Sequence, residues 1–117
     1  MANSKENLVN EIVSYYGINS NVEYVCTLDK DIEASYEFET DTIEICDRRV
    51  DSLDKFKKTL LHEIGHALQT QELGVERFTE LYNNEWEALE TLGKDPYWDN
   101  KYEVRAERFA NQEMKNW

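Results

Sequence analysis

Hydrophobic positions change period twice along this chain, and the changes divide it into a helix, a small sheet and further helices. Leu8, Ile12 and Val13 recur at helical spacing behind Asn3 and Ser4, either of which can cap a helix, and Gly17 supplies a stop. A first helix is expected over about residues 5–16. From Val22 the period drops to two. Val22, Tyr24, Cys26 and Leu28 alternate with mostly polar neighbours, as do Tyr36 and Phe38, and then Ile43 and Ile45 around Glu44. Thr40 and Asp41 leave only a tight connection between the last two runs. Residues 22–46 therefore read as a small, mostly antiparallel sheet with one apolar and one acidic face.

Asp51 and Ser52 are both fitting caps for a long helix over about residues 53–71, in which Phe56, Leu60, Ile64, Ala67 and Leu68 form one apolar stripe. Gly74 interrupts the pattern. Phe78, Leu81, Trp86 and Leu89 then carry a helix over about residues 75–92 that ends near Gly93. Asp95, Pro96 and Asp99 mark a loop, and Ala106, Phe109, Ala110 and Met114 share one side of a last helix at about 101–116. No repeat or linker separates these elements, and 117 residues fit one compact domain, taken as residues 1–117. The fold class is α+β.

Composition supports a folded chain: 40% hydrophobic and 12% aromatic residues suffice for a core despite 32% charged residues. The net charge of −12 is spread along the sequence, which argues against a direct grip on nucleic-acid phosphates. It fits a solvated surface, with an attraction to basic partners as the alternative. The first residues lack the pattern of a secretory signal and no apolar run approaches a membrane span, so a cytoplasmic location is expected. In that compartment Cys26 and Cys46 are expected as free thiols.

The candidate chemistry lies in the long helix. Leu61-His62-Glu63-Ile64-Gly65-His66 contains H-E-x-x-H, and its histidines are the two histidines of the chain. Four residues is about one helical turn, so both imidazoles leave one face and reach one tetrahedral zinc ion, with Glu63 beside them as general base. A catalytic zinc needs a third protein ligand and keeps its fourth position for water. Without a third histidine, that ligand is a carboxylate or a thiolate. Glu103 and Glu107, four apart in the last helix, offer one zinc ligand and one partner that hydrogen-bonds a ligating histidine and fixes its tautomer. Glu85 is the rival ligand.

HEIGHAL followed by a later E-x-x-A-(D/E)-x-F-A segment resembles the gluzincin metallopeptidases, most of all the small ImmA/IrrE-type peptidases found in phages and mobile elements. The resemblance covers roughly residues 40–112. It implies a minimal zincin-like fold, zinc as cofactor, and Glu103 as third ligand, since Glu103, Ala106, Phe109 and Ala110 fall on the motif; Glu107 stands where aspartate is usual. A branch resembling thermolysin would instead use Asn84-Glu85, but Leu89 replaces its further aspartate. The implied activity is hydrolysis of a peptide or protein substrate, a regulatory protein being the candidate, by Glu63-assisted attack of zinc-bound water. Tyr102, Arg105 or another tyrosine would stabilise the oxyanion, and Thr42 to Cys46 would receive the peptide as an extra strand whose acidic alternation favours a basic substrate. Two other readings remain: a zinc-binding interaction or regulatory module without protease activity, and a purely structural acidic protein.

Overall fold

A computed structural model describes residues 4–25, 34–46 and 52–117. Helix α1 spans Ser4–Tyr16, strands β1, β2 and β3 span Asn21–Tyr24, Ala34–Glu37 and Thr42–Ile45, and helices α2, α3 and α4 span Leu53–Leu73, Val75–Thr91 and Lys101–Glu113. The fold is α+β. A single 3-10 turn, Met114–Asn116, follows α4, so the last helix stops short of the expected position 116. The expected caps Asn3 and Asp51 lie outside the described residues, while Ser4 falls inside α1 rather than before it. None of the described helices is long and apolar enough to cross a membrane.

The sheet order is β1-β3-β2, with β2 antiparallel and β1 parallel to β3. This corrects the expectation of a mostly antiparallel sheet. The turn at 38–41, with Asp41 at φ 49°, folds β2 back on one side of β3 and leaves only the opposite side for β1. The expected continuation of β1 through Cys26 and Leu28 lies outside the described residues. As the central strand, β3 buries Ile43 and Ile45 completely and has both edges hydrogen-bonded. It cannot take the peptide strand expected at Thr42 to Cys46; the sheet edge among the described residues on the side of α2 is β2. Cys46, just past β3, is buried and disulfide-bonded, which corrects the free thiol expected there; Cys26 lies outside the described residues.

Ser52 starts α2 by accepting the Lys55 N–H at 3.1 Å, which satisfies one of the open donors of the first turn. Gly74 ends it. At φ 87° it donates its N–H to Thr70 O at 2.7 Å and accepts from Phe78 N–H at 2.9 Å, so one residue closes α2 and opens α3. Phe56, Leu60, Leu61 and Ile64 of α2 share a buried cluster with Val9 and Ile12 of α1, Ile43 and Ile45 of β3, Phe78 of α3 and Ala110 of α4. Helix α4 packs closely against α2 at Gly65, where an added Cβ would stand only 3.1 Å from Ala106 Cα. That approach brings the two motifs together. The end of α4 is tied down as well: Trp117 Nε1–H donates to Tyr16 at 3.1 Å, and Lys57 Nζ donates to the Trp117 carbonyl at 2.6 Å.

Candidate metal centre

His62, Glu63 and His66 occupy the middle of α2, and all three are buried together with Glu103 in the first turn of α4. Glu103 Oε1 lies 2.9 Å from His62 Nε2 and 2.8 Å from His66 Nε2. The remaining ring nitrogens face acceptors: His62 Nδ1 lies 2.9 Å from Glu107 Oε2, and His66 Nδ1 lies 3.0 Å from Gln69 Oε1. Gln69 is oriented by its own Nε2, which donates to the Tyr102 carbonyl at 3.0 Å, so its oxygen must face His66. In neutral imidazoles the Nδ1 positions therefore carry the protons. Two Nε2 lone pairs and a carboxylate oxygen then point at one spot, an arrangement that only a positive species relieves.

A group of one carboxylate and two imidazoles within mutual reach is positioned to hold a metal ion. Tetrahedral ligation at about 2.0–2.2 Å needs donors roughly 3.4 Å apart, so Glu103 Oε1 must draw back from each imidazole by about 0.5 Å. The donor chemistry fits: two imidazole nitrogens and a carboxylate oxygen. Glu103 Oε2 is held by the Tyr82 hydroxyl, which donates at 2.6 Å, leaving Oε1 for the shared position. Glu107 is also paired to Lys58 Nζ at 3.0 Å, so the salt bridge anchors the residue that orients His62. Glu107 thus reaches its histidine directly.

The protonation equilibria follow from these contacts. Burial opposes charge on both histidines, but the hydrogen bonds and charge of Glu103 outweigh it and raise both. Burial likewise opposes the Glu103 carboxylate, yet His62 and His66 hold it down at about 2. Among the described residues Glu63 has no such hydrogen bonds, and burial pushes it up to about 7 against the opposing pull of His66 and His62. The two carboxyls, both within the same site, are separated by environment into a permanent anion and a group poised to exchange a proton near neutrality. Glu107 is lowered, burial being outweighed by Lys58 and His62.

Two clefts meet at the site, with Tyr97 and Glu103 common to both. The first, of about 360 Å³, runs between β2 and α3 and is lined by Ser35, Tyr36, Phe38, Glu63, His66 and Tyr82. The second, of about 320 Å³, opens on the α4 side beside His62. β2 is fixed beside the first cleft because Tyr36 hydrogen-bonds Thr70 of α2 at 2.8 Å and donates to Asp41.

Glu85, the second choice for third ligand, is elsewhere. Its Oε2 accepts the Lys101 N–H at 3.1 Å, satisfying a donor at the start of α4. One turn earlier on α3, Tyr82 takes the place beside Glu103. Tyr102 and Arg105 likewise line neither cleft: Tyr102 is buried with its ring 5.6 Å from that of Phe78, and the Arg105 guanidinium lies over the Tyr102 ring. Gln69, Tyr82 and Tyr97 escaped the sequence reading. Gln69 carried a usable signal, three residues past His66 on the same helical face, whereas Tyr82 and Tyr97 had none beyond being aromatic. No protein-family model, curated protein or solved structure matches this chain.

Proposed function

We propose that this chain is a zinc-dependent metallopeptidase whose metal is held by His62, His66 and Glu103 and whose general base is Glu63. The observation that carries the reading is the convergence of two Nδ1-anchored imidazoles and one carboxylate oxygen beside a buried glutamate, at the meeting point of two clefts. Zinc, when bound there, supplies Lewis acidity that activates water and polarises the scissile carbonyl. Glu63, poised near neutrality, accepts the proton of the attacking water and returns it to the leaving amine nitrogen. Tyr97 supports charge on the carbonyl oxygen: it faces both clefts, and burial together with the charges of Glu103 and Glu63 raises its hydroxyl, keeping it a donor. β2, at the sheet edge, offers backbone groups to an extended peptide in place of β3. The resemblance to ImmA/IrrE-type peptidases extends the reading to a regulatory protein as substrate.

Glu63→Gln tests this reading. The variant should keep the zinc content of the wild type, measured by plasma mass spectrometry, and lose cleavage of a mixed-sequence peptide library read by mass spectrometry. Equal cleavage by wild type and variant would overturn the role of Glu63. Zinc binding without cleavage in the wild type would favour the interaction module over the enzyme.

A further inference from the structure

Proton transfer through Glu63 does not require the second cleft, yet that cleft is shaped. Its walls include Trp98, Val104, Arg108 and Asn111, with His62 and Glu107 at the metal-centre end. Trp98 is 71% exposed although its backbone is fixed: Asp95 Oδ1 accepts the N–H of both Tyr97 and Trp98 at 2.9 Å, and Asp99 Oδ2 accepts the Asp95 N–H at 3.1 Å. A large aromatic held in water on a fixed turn loses little further freedom when it packs against a ligand, and so makes a good anchor.

The charges in the cleft are asymmetric. Glu103 is held by His62, His66 and Tyr82, and Glu107 by His62 and Lys58. Arg108 is the cleft's remaining charged residue, and it has no hydrogen-bond or ion-pair partner among the described residues. In a chain of net charge −12, with the carboxylates around it already engaged, its guanidinium is the cleft's open valence.

We propose that this cleft binds the part of a peptide substrate that leaves the metal centre on the α4 side, with a large apolar side chain against Trp98 and Val104 and a carboxylate on Arg108. The inference rests on the peptidase reading for the word substrate, but not for the binding itself. It reverses the preference for basic substrates expected from Glu44, which sits on the central strand β3 and lines neither cleft. The carboxylate comes either from a peptide C-terminus or from an acidic side chain.

The test tracks the Trp98 indole N–H by NMR in zinc-supplied protein, with acetyl-Ala-Ala-Phe as free acid, the same peptide as amide, and acetyl-Ala-Phe-Asp-amide as probes. The free acid should shift the Trp98 signal and bind about fivefold more tightly than the amide. That preference should vanish in Arg108→Gln, and Trp98→Ala, followed on the side-chain amide signals of Asn111 in the same cleft, should weaken the free acid about tenfold. An Asp-amide peptide that matches the free acid assigns the carboxylate to a side chain; one that matches the plain amide assigns it to a C-terminus. A preference that survives in Arg108→Gln places the carboxylate on the metal and overturns the proposal, as does an unmoved Trp98 signal at millimolar peptide. Zinc is measured on the same samples. A wild type without zinc that still shows the Arg108-dependent preference would sink the peptidase reading and leave this binding site standing.

Discussion

Gly65 stands between the two histidines and faces α4, and replacing it tests whether the helix contact sets the metal geometry. A methyl at this position would lie 3.1 Å from Ala106 Cα, 3.2 Å from Ala106 Cβ and 3.4 Å from Phe109 Cδ1. Comfortable carbon contacts are about 3.5–4.0 Å, so about half an ångström must be recovered. The nearest atom is backbone, so the relief has to come from displacement of α4 as a body. Gly65→Ala gains about 1 kcal/mol of helix propensity and loses about 1–3 kcal/mol to overpacking. The net expectation is a loss of about 1 kcal/mol, or about 4 °C in Tm for a domain of this size. Glu103 rides on α4 one turn before Ala106, and metal ligands tolerate errors of only about 0.2 Å. Zinc affinity should therefore fall about tenfold or more, and Gly65→Val should be worse on both counts. Thermal unfolding of metal-free protein and zinc competition against a chelator read the two effects separately. A Gly65→Ala protein that melts higher than wild type and binds zinc equally well would refute the reasoning.

Three further outcomes are expected of the site. Metal-free protein should be most stable near pH 4.5 and lose stability on either side. Glu103, held at about 2, contributes stability above its ordinary 4.5 that is lost as pH falls through 2; the raised histidines contribute below 6.5 and lose it as pH rises through their folded values. Glu63 acts in the same sense as the histidines, because a carboxyl raised from 4.5 to about 7 binds its proton more tightly when folded; its contribution of about 3 kcal/mol is full below 4.5 and lost as pH rises through 7. Urea unfolding in chelator at pH 3, 4.5 and 8 checks this, with Glu63→Gln expected to shrink the loss between 4.5 and 8; stability rising from 4.5 to 8 would contradict it. Glu107→Ala should lower zinc affinity about 10–100-fold by freeing the His62 ring, measured by the same chelator competition. Tyr97→Phe should reduce kcat about 100-fold at unchanged zinc content, and unaltered kcat would remove Tyr97 from the reaction.

What the sequence disclosed depended on whether one helix or several elements set the geometry. His62, Glu63 and His66 were legible because their relation is intrahelical: four residues fix both rings on one face. Glu103 and Glu107 were legible through the same periodicity, one turn apart on α4. Periodicity alone did not choose Glu103 over Glu85, which only the motif resemblance favoured, because that choice turns on how α3 is rotated about its axis; Tyr82 faces Glu103 while Glu85, three residues on, meets the start of α4. Strand order was hidden for a related reason. Alternation identifies Ile43 and Ile45 as buried, but whether β3 is an edge or the centre depends on which side β1 takes, and no local pattern encodes that. The expected free thiol failed at Cys46 because it rested on an inferred compartment rather than on the strand geometry. Nothing in the helical pattern marks Gly65 as a contact, whereas its close approach to Ala106 makes it a point where α2 and α4 touch.

The most direct test of the central claim is the metal content of protein purified without added metal, compared across wild type, His62→Ala, Glu103→Ala and Glu85→Ala. About one zinc per chain is predicted in wild type and Glu85→Ala, and none in His62→Ala or Glu103→Ala. A wild type that holds no zinc even when zinc is supplied, or a Glu103→Ala protein that keeps it at full affinity, would contradict the account.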